Sequence, residues 1–156
     1  MNSLQLYQLI KRDKTLKKMF CGFYNADDIL PREYGFFIVN TDKRDGYGKH
    51  WVVFFINNEY TEFFDSCGED SNYYGLTKTQ EFNSFRLQGN EPVCGYYCLY
   101  YCLMRCRYME MNKIVFNLKK IKKTYRDFYI ANKVLNHFIT LENMILFKVR
   151  RSLSRH

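Results

Sequence analysis

An α+β fold is predicted by three features of the 156-residue sequence. The β-prone aromatic runs all fall before about Phe64, a turn-rich stretch follows, and the apolar residues after Pro92 take up helical spacing. The length fits a single domain over residues 1–156 with a core of its own. Hydrophobic residues make up 47% and aromatics 19%, which argues against disorder. No apolar run approaches the ~18 residues of a membrane span, so no membrane association is expected.

The elements follow in order. Ser3 is placed to cap an amphipathic helix carrying Leu4, Leu6, Tyr7, Leu9 and Ile10. The N-terminus has its charges after the apolar part, unlike a secretory signal, so the protein is expected to work in a reducing compartment with its six cysteines as thiols. The segment "GFFIVNT" (35–41) reads as a strand ended by the turn-rich "DKRDGYG". Next, "WVVFFINNEYTEFF" (51–64) reads as a β-hairpin, and "SCGEDSNYYGLTKT" (66–79) as an irregular connection.

The hairpin is bracketed by His50 and Asp65, in a chain with three histidines. A type I′ turn at Asn57-Asn58 sets Ile56 opposite Glu59, Phe54 opposite Thr61 and His50 directly opposite Asp65. Their Cβ atoms are then about 5 Å apart, within reach for a carboxylate to orient an imidazole.

Cys94, Cys98, Cys102 and Cys106 recur every four residues. On one helix the first and last lie about 18 Å apart, too far for a single metal, and no metal site is expected. Tyr, Leu and Met fill most of the remaining circumference, so this helix belongs at the centre of the domain. Cys98, Cys102 and Cys106 read as packing residues. Cys94 differs, because Pro92 and Gly95 set it at the first turn, where free N–H groups and the helix dipole favour a thiolate. Gln88, ahead of a Gly-Asn turn, can fold back over Cys94, its side-chain NH₂ joining the Cys94 N–H as oxyanion donors. His50 as base, Asp65 as its partner, Cys94 as nucleophile and Gln88 as oxyanion donor form a candidate catalytic set.

These motifs resemble the adenain-type cysteine proteases, the maturation proteases of adenoviruses, with relatives in Maverick/Polinton elements and related large DNA viruses. The resemblance rests on His50-Trp51 in "GKHWVVFF", Asp65 in "FFDSCG", Gln88-Gly89, Cys94-Gly95 and the further Cys98, with "FCGFYNADDILP" and "FFIVNT" upstream. It covers about residues 16–106. It implies a papain-like or adenain-like fold, in which a mixed sheet packs on a central apolar helix that starts at the nucleophile. It also implies cleavage of capsid precursor proteins at Gly-containing sites, in a virion or host nucleus. The chemistry would need no cofactor, while DNA and an activating peptide are the partners of adenovirus enzymes. Here the Asp65–Gln88 stretch is short and has no equivalent of the peptide-tethering cysteine, which argues against peptide activation.

The net charge of +8 is unevenly spread. Residues 1–100 hold eleven Lys/Arg against thirteen Asp/Glu, and residues 101–156 hold thirteen against three. This basic, helical C-terminal third (about 110–156) suggests sequence-independent DNA binding through Lys119, Lys120, Lys122, Lys123 and Arg126, helped by Arg150 and Arg151. Helical spacing sets Lys119, Lys122, Lys123 and Arg126 on one face, with Leu118, Ile121 and Tyr125 turned inward. A monomer is expected. Two alternatives remain at this point: a deconjugating protease for SUMO- or ubiquitin-like modifiers, with the same order of residues, and a non-catalytic DNA-binding relic. His137 reads as structural, His156 as terminal, Asp27 and Asp28 as turn or cap residues, and Trp51 as packing. Cys21 and Cys67 carry no assigned role, and a disulfide or tether at Cys67 stays open.

Overall fold

The computed structural model describes residues 1–153, with side chains described through residue 147. Two short helices, α1 (Ser3–Ile10) and α2 (Lys14–Met19), lead into a first strand, β1 (Phe20–Asn25). Asn2 rather than Ser3 caps α1. Its side chain accepts the Gln5 N–H while the Gln5 side chain accepts the Asn2 N–H, both at 2.9 Å, a reciprocal capping box.

Strands β2 (Gly35–Asn40), β3 (Trp51–Ile56), β4 (Thr61–Phe64) and β5 (Glu81–Phe82) complete a five-stranded sheet in the order β1-β2-β3-β4-β5. The outer pairs β1/β2 and β4/β5 are parallel, and the inner pairs are antiparallel. Helices α3 (Cys94–Arg105), α4 (Met111–Lys119) and α5 (Lys123–Leu153) follow. The α+β class of the sequence reading is that observed, but α2 is an additional helix and β5 extends the sheet beyond the expected end of the β region at about Phe64.

Both faces of the sheet are covered, which explains why β2 and β3 are apolar at successive positions instead of alternating. On one face, Phe36, Ile38, Val53, Phe55 and Phe64 pack with Leu6, Tyr97, Tyr101 and Val134 from the helices. On the other, Phe37, Val39, Val52, Phe54 and Phe63 are closed over by Tyr24, Leu30, Tyr74 and Leu76. Helix α3 lies inside the larger core, with Cys98 and Cys102 buried among its aromatics. Fully burying side chains of this size contributes roughly 1.5–3 kcal/mol each.

The hairpin turn differs from its expected form. Tyr108 is the only non-glycine residue with positive φ among those described, so Asn57-Asn58 does not form a type I′ turn. The turn centres on Asn58-Glu59 instead. The Asn57 carboxamide oxygen accepts the N–H groups of Glu59 and Tyr60 at 2.8 Å, and the Asn57 N–H donates to the Tyr60 carbonyl at 3.1 Å. An Asn side chain that bonds its own turn removes the need for left-handed backbone.

The register slides by two residues as a result. Ile56 pairs with Thr61, Phe54 with Phe63 and Val53 with Phe64. The ladder stops there, so the direct cross-strand pairing expected for His50 and Asp65 does not exist. A two-residue slide keeps every side chain on its face. The two residues therefore still point the same way from just outside the paired segment.

Candidate functional site

His50 immediately precedes β3 and Asp65 immediately follows β4. The histidine backbone is held where its carbonyl accepts the Thr41 N–H at 2.9 Å. Its Nε2 lies 2.5 Å from Asp65 Oδ1, a short charge-assisted contact. With Nε2 committed to the carboxylate, Nδ1 is the nitrogen left for a reacting group.

Asp65 is fully buried, and its carboxylate is satisfied from several directions. Oδ1 also accepts the Cys67 N–H at 2.8 Å, and Oδ2 accepts the Glu69 N–H at 3.1 Å and the Tyr74 hydroxyl at 2.8 Å. The Asn83 carboxamide clamps the Asp65 backbone, accepting its N–H at 2.8 Å and donating to its carbonyl at 2.6 Å. Gly68 makes the sharp return possible. Its φ is +78°, and a Cβ there would lie 2.5 Å from the Phe85 carbonyl carbon. The "FDSCG" motif thus builds a rigid acid-presenting turn.

Cys94 is the first residue of α3, which begins without a side-chain cap. Burial alone would raise its thiol pKa, but the neighbouring His50 side chain and its charge, with the backbone amides of Trp51 and Gly95, together lower it. Burial pushes His50 the opposite way, toward neutral. The bonded Asp65 carboxylate and the neighbouring Cys67 and Cys94 side chains outweigh burial and bring it up to about 11. Both directions favour the imidazolium–thiolate form of the pair. Burial raises the pKa of Cys98 and Cys102, so these two thiols are inert by comparison.

Gln88 is buried, and its carboxamide is held at both ends. The Ser66 hydroxyl donates to Oε1 at 2.7 Å, and Nε2 donates to the Glu91 carbonyl at 2.6 Å. One of its two N–H donors therefore remains for another acceptor. Ser66 also accepts the N–H groups of Leu87 and Gln88 on its carbonyl, both at 2.9 Å. The residue following the acid thereby anchors the Gln88 segment.

Arg126 departs from its expected phosphate-binding role. It is 4% exposed, and its guanidinium donates to the carbonyls of Leu118, Leu87 and Ile121 at 2.8, 3.0 and 3.0 Å. The helix breaks between α4 and α5, so the single basic face drawn through residues 119–126 is not formed. Tyr125, expected to pack inward, is exposed. Lys119, Lys120, Lys122 and Lys123 are exposed, with the Lys119 ammonium 4.4 Å from the centre of the Phe85 ring and that of Lys120 4.2 Å from Phe116. Arg150, Arg151 and His156 lie outside the residues whose side chains are described.

Sequence reasoning missed Tyr74, Asn83, Ser66 and Asp127, because isolated polar residues in loops and helices carry no motif. Trp51 packs beside the site and donates its indole N–H to the Met1 carbonyl at 2.8 Å. His137 pairs with Asp13 at 2.8 Å, a structural contact. Among the described residues, His50, Asp65 and Cys67 hold one potential ligand atom each, all within 4.8 Å of one another.

No family model matches this sequence, and no curated protein matches it either. No helix among the described residues is long and apolar enough to cross a membrane. Among solved structures, the chain is similar to the ASFV pS273R protease, at 22% identity and a TM-score of 0.33, over 59% of this chain and 38% of that one. It thus spans well under half the length of that viral protease.

Proposed function

We propose that the chain is a cysteine endopeptidase that cleaves virus- or element-encoded precursor proteins at Gly-containing sites. One observation carries the reading. A buried carboxylate orients a histidine through Nε2, and the same histidine lowers the pKa of a cysteine at the start of a helix.

In this mechanism the Cys94 thiolate attacks the scissile carbonyl. The developing oxyanion is met by the free Gln88 N–H and the Cys94 backbone N–H. The His50 imidazolium gives its proton to the leaving amine, which breaks the C–N bond and leaves a thioester on Cys94. Neutral His50 then takes a proton from water, and the resulting hydroxide equivalent attacks the thioester and releases the acid. Asp65 holds the imidazole in the needed orientation throughout and stabilises its charged form.

The exposed lysines at 119, 120, 122 and 123 support a further part of the proposal. Sequence-independent contacts to DNA phosphates would concentrate the enzyme where its precursors are packaged. They take no part in the chemistry.

The test is a peptide library incubated with the purified protein, with and without DNA, alongside a thiol-reactive peptide electrophile. Cleavage at Gly-containing sites with covalent labelling at Cys94 is the expected result. Cleavage of a SUMO-like fusion but of no Gly-containing peptide would assign the chain to modifier deconjugation. Absence of both labelling and cleavage would leave a non-catalytic relic.

A further inference from the structure

The mechanism above gives no role to the Cys67 thiol, yet its sulfur lies within 4.8 Å of both a His50 ring nitrogen and an Asp65 carboxylate oxygen. Its backbone N–H is tied to Asp65 Oδ1 at 2.8 Å, so the side chain is presented from a fixed point of the turn. An imidazole nitrogen, a carboxylate oxygen and a sulfur, all within 4.8 Å, form a mixed N/O/S donor set. That mixture suits zinc, whose bonds of about 2.0–2.3 Å set tetrahedral ligand atoms roughly 3.5 Å apart. Magnesium and calcium demand oxygen ligands and do not fit it.

We propose that His50, Asp65 and Cys67 bind a zinc ion that arrests the peptidase. The ion would enter between His50 Nε2 and Asp65 Oδ1, where the two now share a hydrogen bond 2.5 Å long. Cys67 supplies the third ligand and water the fourth. A histidine fixed to zinc has lost its carboxylate partner and the freedom to pass protons between thiol and leaving group. Cys94 is outside the ligand set, so zinc binding and nucleophilicity are separable. The arrest rests on the protease reading, whereas the binding does not.

The probe is Zn²⁺ in competition with a chromogenic chelator, using metal-free full-length protein. Wild type and Cys94→Ala should each take up one zinc with equal affinity, and Cys67→Ala should bind at least tenfold more weakly. Co²⁺ should give a thiolate-to-metal charge-transfer band in wild type and Cys94→Ala but not in Cys67→Ala. Magnesium should not compete. Each protein's cleavage rate in zinc, relative to its own rate in chelator, should fall at least tenfold for wild type and much less for Cys67→Ala. Unchanged zinc affinity in a folded Cys67→Ala, or loss of binding in Cys94→Ala, would overturn the site. Normal zinc binding by a protein that cleaves nothing would retain the site and remove the protease reading.

Discussion

The Asp127 carboxylate of α5 accepts the Gly89 backbone N–H with both oxygens, each at 3.0 Å. The Tyr97 hydroxyl of α3 donates to the same group at 2.9 Å. One buried acid thus ties the segment that carries Gln88 to the helix that carries Cys94. A Cβ at position 89 would lie 2.8 Å from Asp127 Oδ2, so a larger residue there would have to push this carboxylate aside. Asp127→Ala leaves the part-buried Gly89 N–H without its acceptor and the Tyr97 hydroxyl with only the Leu87 carbonyl at 3.3 Å, a loss of about 1–3 kcal/mol. Urea unfolding should show a loss in that range, and kcat should fall with it. An unchanged midpoint would mean that the Gly89 segment is held by Arg126 and Ser66 alone.

Gln88→Ala should lower kcat by about a hundredfold, or ~3 kcal/mol, with little change in KM, because the oxyanion exists only after attack. Ser66→Ala should give a smaller loss of the same kind, since Gln88 keeps its bond to the Glu91 carbonyl. Steady-state kinetics on one cleaved peptide separates the two. A rise in KM without a fall in kcat would assign Gln88 to substrate binding.

Cys94 should be the thiol that limiting iodoacetamide labels first, read by mass spectrometry in the presence of chelator. Its lowered pKa means that labelling persists below the usual thiol range and fades only as pH falls through the lowered value. His50→Ala removes the imidazole and its charge, which offset burial, so labelling at neutral pH should slow and its midpoint should move upward. Equal labelling at Cys67 would redirect the nucleophile assignment.

His50 has a folded pKa raised to about 11 from an ordinary 6.5. Its stabilising contribution is therefore fully present below about pH 6.5 and lost as pH climbs toward 11. The stability gap between wild type and His50→Gln should shrink over that interval in chelator-treated samples. A gap that stays constant would mean that the imidazole is neutral in the native protein.

DNA binding should weaken linearly in log affinity against log salt, with a slope near −0.9 per phosphate contacted. Replacing Lys122 and Lys123 with Ala should reduce the slope by about two and weaken all sequences alike. Arg126→Ala should instead destabilise the fold, since its guanidinium serves three carbonyls. Salt-insensitive binding would return the lysines to a solvated surface.

Much of this chain is determined by local chemistry that a sequence carries openly. The strand at 35–40, the aromatic hairpin and the apolar helix starting at Cys94 follow from periodicity and from Pro92 and Gly95, because burial enforces those patterns along a short stretch of chain. The same locality made His50, Asp65, Gln88 and Cys94 candidates.

Tertiary structure decided the rest. Whether Asn57 forms a primed turn or bonds its own loop depends on which register the packed faces accept, and hairpin spacing alone chose the wrong one. Arg126 looked like a surface cation because charge runs usually face water. Instead, the carbonyls of Leu87, Leu118 and Ile121 converge on it from distant segments. Tyr74, Ser66, Asn83 and Asp127 acquire meaning only through partners 9 to 38 residues away, and such long-range pairing leaves no periodic trace in a single sequence.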